Sequence, residues 1–136
     1  MQGREFLKPA RTLVNQTAEA DWRGAAVHAY YALFLECREA LVRWGRPVVG
    51  WQNVHPTVRL KFTYATAPDL KHLSNYLDNL LDLRTHASYD LRPQSRFSTA
   101  TDARNAIQTA LDGIALLDAI EADARRRAAA IASLPP

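Results

Sequence analysis

Arg84 stands where an apolar residue is expected. Leu70, Leu73, Leu77 and Leu80 follow one another at helical spacing, and the next position on that stripe is an arginine. A guanidinium carries a fixed charge and five planar donors, and it suits a phosphate better than any other side chain does. His86 and Tyr89 follow within five residues, and His55 lies further back, in front of Pro56. Phosphate held by an arginine, with a histidine titrating near neutrality to move a proton, is sufficient machinery for phosphodiester chemistry.

Other groupings compete with this one. Arg23 and His28 have four residues between them, but five positions on a helix separate two side chains by about 140°, and 14 arginines among 17 basic residues make such a spacing easy to meet by accident. Asp78, Asp82 and His86 share one helical face, which His28 or His72 could complete as a metal site; no ligand pair of the Glu-x-x-His kind recurs on two helices, so a solvated acidic face is the simpler reading and no metal is expected. Tyr30 and Tyr31 fit core or interface packing, His55 fits a helix cap, and Cys37 falls inside an apolar stripe as an inert core thiol. Arg125 to Arg127 reads as a charge run on the last turns of a helix, where it favours the dipole.

The elements that must position these residues read as helices throughout, with no alternating β-branched run long enough for a strand. A first helix is expected over 5–15, with Pro9 near its start. A second, capped by Thr17, carries the stripe Trp22, Ala26, Tyr30, Leu33, Cys37, Leu41 and Trp44 and stops at Gly45. After a loop from Arg46 to His55, Pro56 and Pro68 each open a helix, one to about Ala65 and a longer one through Tyr89. A polar loop from Asp90 to Ser98 leads to Thr99 and Asp102, spaced as a capping box, and to a long helix through Ala103, Ile107, Ala110, Ile114 and Leu117 toward Ile131. The expectation is one all-α domain over 1–136, an antiparallel bundle of four to five helices.

At 136 residues with 48% hydrophobic and 23% charged composition, the chain can bury a core without a metal or disulfide staple. Its apolar runs are too short for a membrane span, so no membrane partner is expected. One cysteine excludes an internal disulfide framework, and residues 1–5 lack a signal-peptide apolar stretch, which together lead to the expectation of a cytoplasmic protein. Net charge is only +3, although arginine outnumbers lysine 14 to 3.

Three segments taken in order resemble the HEPN domain family of prokaryotes: Tyr30-Tyr31-Ala32-Leu33-Phe34, then Asn53-Val54-His55-Pro56, then Arg84-Thr85-His86-Ala87-Ser88-Tyr89-Asp90. The resemblance spans about residues 5 to 125. It implies a HEPN-like bundle that dimerises, with Arg84 in a cleft binding RNA or a nucleotide together with Tyr89, His55 and Tyr31. It further implies a metal-independent ribonuclease without cofactors, Arg84, His86 and Tyr89 being the catalytic candidates, in a toxin-antitoxin or defence pair with a nucleotidyltransferase-type antitoxin. In the family's catalytic pattern a histidine follows the arginine after four to six residues; here Tyr89 occupies that place. The alternative is a non-catalytic helical module for dimerisation or partner binding.

Overall fold

The computed structural model describes residues 1–93 and 96–136, and every regular element among them is helical. A 3-10 turn, Gly3–Phe6, runs into α1 (Leu7–Val14); α2 (Glu19–Arg43), α3 (Val54–Thr63), α4 (Pro68–Tyr89), α5 (Thr101–Ala122) and α6 (Ala124–Ser133) follow. Among the described residues six α-helices therefore replace the four to five expected. Residues 94 and 95, inside the expected polar loop, lie outside the described residues.

Helix α2 is the common partner of α1, α4, α5 and the 3-10 turn. The expected stripe is buried apart from the half-exposed Trp22, yet Ala25, Ala29, Ala32, Phe34 and Ala40 are buried as well. Apolar residues on all sides make this a central helix. Its alanines allow neighbours close approach, and Gly113 of α5 does the same, since a Cβ there would meet the Leu33 methyls at 2.7 Å. Cys37 is fully buried in this packing, and burial pushes its thiol well above the ordinary range. On α4 the four leucines of the stripe are fully buried, with Pro68 at the start of the helix.

Two expected caps do not form. Helix α2 starts after Ala18 without a side-chain cap, and its first turn is tied down instead by Trp22 Nε1 donating to the Gln16 carbonyl at 2.9 Å. Helix α5 starts after Ala100, and Thr99 only accepts a long 3.4 Å bond from the Thr101 amide. The single C-terminal helix toward Ile131 is interrupted at Asp123, which leaves helical geometry (φ −120°, ψ 108°) and accepts from the amides of Arg125 and Arg126. Arg125 to Arg127 thus occupy the first turn of α6, the end where the dipole disfavours cations. Carboxylates compensate: Arg126 clamps Asp69 through two bonds of 2.9 and 3.0 Å, and Arg127 meets Glu121 at 3.1 Å.

The N-terminal turn is fastened by charge. Arg4 reaches buried Glu36 through its amide and Nε at 2.9 Å each and Asp118 at 2.8 Å. Burial opposes ionisation of Glu36, but the bonds from Arg4 outweigh it and keep the carboxyl below its usual range. Gly3 makes this docking feasible, because a Cβ there would lie 2.8 Å from Leu35 Cβ and 2.9 Å from the backbone of Ala32 and Glu36. Helix backbone cannot yield as a flexible side chain does. Gly3→Ala is therefore expected to lower unfolding free energy by about 1–3 kcal/mol, read by urea denaturation.

Candidate phosphate site

Three helices contribute to a cluster around the Tyr30-Tyr31 pair. On α2, Tyr30 is fully buried and Tyr31 partly so, their rings meeting edge to face at 5.4 Å. Phe34, one turn on, stacks against His55 at 4.2 Å. His55 is held at the second position of α3 because Asn53, in left-handed geometry (φ 57°), turns the chain sharply into that helix. It does not cap the helix: its Nδ1 lies 2.8 Å from the Tyr30 hydroxyl. Burial pushes the Tyr30 phenol up to about 12, against the opposing field of Arg84 and Arg59, so the hydroxyl stays neutral at physiological pH.

Arg84 enters from the penultimate turn of α4. Its guanidinium carbon sits 5.8 Å from the Tyr30 ring centroid and 5.9 Å from that of Tyr31, within cation-π range, and one terminal nitrogen donates a long 3.4 Å bond to the Tyr31 hydroxyl. Its Nε is buried with no hydrogen-bond partner. Among the described residues Arg84 forms no ion pair, whereas Arg4, Arg43, Arg92, Arg96, Arg126 and Arg127 each meet a carboxylate. The site is also positive beyond Arg84. His55 is held below its ordinary value near 6.5, first by burial and then by the charges of Arg84, Arg38 and Arg59. Arg59 is only loosely balanced by exposed Asp78 at 3.8 Å. A half-buried cation without an acid, beside a neutral imidazole and a phenol, can receive an anion and exchange hydrogen bonds with it.

The other candidates lie apart from this cluster. His86 is two residues from Arg84 and so points about 200° away around the axis of an unbroken helix. Its Nδ1 is 2.9 Å from the Asp82 carbonyl and 3.4 Å from that carboxylate. The helix is continuous through Arg84, so His86 stays on the other side of α4 from it. Tyr89, 72% exposed at the end of α4, lines a surface cleft of about 520 Å³ with Thr85, His86, Asp90, Leu91 and Arg92. Arg84, Tyr31 and His55 are therefore brought together, while His86 and Tyr89 form a separate surface.

Arg23 proves structural. It is buried, donates to the His86 and Ala87 carbonyls at 3.0 and 2.9 Å, and packs over the Phe97 ring. His28 stacks on Phe6 at 5.7 Å. The acidic face divides between cations, Asp78 facing Arg59 and Asp82 facing Arg96, and among the described residues no cluster of three or more metal-ligating side chains forms. Among the described residues no helix is long and apolar enough to cross a membrane.

Sequence reasoning missed Arg38 and Arg59. The signal was there as spacing: Tyr31, Phe34 and Arg38 stand at i, i+3 and i+7 on α2, and His55 and Arg59 at i and i+4 on α3, so each set shares a helix face. Comparison with family models, curated proteins and solved structures finds no match to this chain.

The depressed His55 has a thermodynamic consequence. Folded protein binds this proton more weakly than unfolded chain, so stability conferred by a neutral His55 is complete above pH 6.5 and declines as pH falls toward the depressed value. His55→Gln is expected to flatten the slope of unfolding free energy between about pH 7.5 and about pH 5, as measured by urea melts.

Proposed function

We propose that this protein is a HEPN-like helical domain that binds the phosphate of RNA or of a nucleotide at Arg84, with His55 and Tyr31 beside it. The observation that carries the reading is the Arg84 guanidinium itself: partly buried over two tyrosine rings, one nitrogen without a partner, no acid paired with it among the described residues, and two further arginines adding to the local field. Arg4 and Arg126, by contrast, are matched by carboxylates and Arg23 by carbonyls. A phosphate supplies the missing counter-charge and accepts from the planar donors.

A second reading, metal-independent cleavage of RNA, rests on His55. An imidazole neutral at pH 7 and fixed by the Tyr30 hydroxyl is suited to act as a base. The reading requires the tautomer in which His55 Nδ1–H donates to the phenol oxygen, so that Nε2 carries the lone pair. It takes the proton of a ribose 2′-hydroxyl as that oxygen attacks phosphorus; the bond to the 5′-oxygen breaks, that oxygen takes a proton from water, and a 2′,3′-cyclic phosphate remains. His55 thus replaces His86 as the proposed proton acceptor. The homodimer, the nucleotidyltransferase-type antitoxin and the toxin-antitoxin or defence setting implied by the resemblance belong to the same proposal.

The test is RNA binding and cleavage in excess EDTA. Arg84→Ala should weaken binding and reduce the slope of log affinity against log salt by about 0.7–1, and His55→Ala should slow cleavage about 100- to 10,000-fold. Native protein that binds RNA without cleaving it would retain phosphate recognition and remove the ribonuclease reading. Absence of salt-dependent binding would remove both and leave the partner-binding module, to which exposed Leu60 on α3 and exposed Tyr64 just past its end would then belong.

A further inference from the structure

We propose that Trp51 is a stacking platform for an unpaired base, placed beside the phosphate site so that the occupant is single-stranded RNA rather than duplex; the inference rests on the phosphate reading above. Trp51 is 84% exposed, while Trp44 is buried and Trp22 partly buried. It stands between Gly50 and Asn53, both at positive φ (85° and 57°), in the segment that turns directly into α3 and His55. The backbone thus displays the indole beside the helix start that carries the imidazole.

Arg38 joins the two places. Its guanidinium carbon lies 5.4 Å from the Trp51 ring centroid, and its charge is among those that hold the proton off His55. One cation therefore faces the indole and, from the same helix face as Tyr31 and Phe34, adds to the positive field at His55. A strand whose phosphate meets Arg84 can lay a neighbouring base on the indole while Arg38 faces its backbone, combining a π-surface with positive charge as single-strand binding requires. Stacking accepts any base, because every base has a flat face, but the base must be free of its partner strand.

The probes are a fluorescently labelled eight-residue 2′-O-methyl oligouridine, which has no 2′-hydroxyl to attack, an abasic strand of equal length, and a duplex of equal length, compared by anisotropy in EDTA. Native protein is expected to favour oligouridine over the abasic strand. Trp51→Ala should lose roughly 5- to 150-fold in affinity for oligouridine and none for the abasic strand or duplex, while Trp51→Phe keeps most of the affinity; Arg84→Ala should weaken binding to all three. If Trp51→Ala binds oligouridine as the native protein does while Arg84→Ala fails, stacking is overturned and the phosphate reading stands. An equal loss on oligouridine and abasic strand also overturns stacking, since Trp51 would then serve only the loop's shape. Native protein binding none of the probes overturns both readings.

Discussion

Helix α2 is covered along most of its circumference, so a polar group on its buried faces cannot rely on water and must find a partner inside the protein. Three such groups organise the surrounding structure. Glu36 draws in Arg4 and with it the N-terminal turn. Arg23 takes the carbonyls of His86 and Ala87 and fixes the last turns of α4. Tyr30 engages His55 and registers the start of α3. Each requirement is local to one side chain, yet each docks a different segment.

The candidate site is assembled from the last two of these bonds. Arg23 holds the α4 terminus helical, so Arg84 stays on the face directed at the tyrosines. Tyr30 sets the His55 ring, and Phe34 packs on its flat side at 4.2 Å. Among the buried nitrogens left without a hydrogen bond is Nε of Arg84. Unlike Arg59, which has Asp78 at 3.8 Å, and unlike the ion-paired Arg4 and Arg126, Arg84 has no carboxylate against it among the described residues.

Arg84 was legible in the sequence because it breaks a leucine stripe that proves fully buried up to that point. His86 and Tyr89 attracted attention through nearness along the chain, whereas a helix sorts neighbours by face, and His55 came to the site from another element altogether. Its place depends on Tyr30, twenty-five residues earlier, which no local pattern reveals. The division between α5 and α6 was hidden for a related reason: Glu121-Ala122-Asp123-Ala124 followed by arginines and alanines has good helix propensity, and tertiary pairs to Asp69 and Glu121 accompany the break. Helical type followed from periodicity, but caps and ends followed from individual side-chain bonds, some local and some distant, that periodicity does not mark.

The enclosure of Cys37 has a practical side. Its thiol is the only one in the chain, it is sealed from solvent, and burial disfavours the thiolate that alkylating reagents attack. A cysteine introduced at an exposed position would therefore be the sole group in the folded protein to accept a maleimide dye or spin label. Two such cysteines, one on α3 and one on α4, would let the distance between these helices be followed by spectroscopy with the native residue left in place.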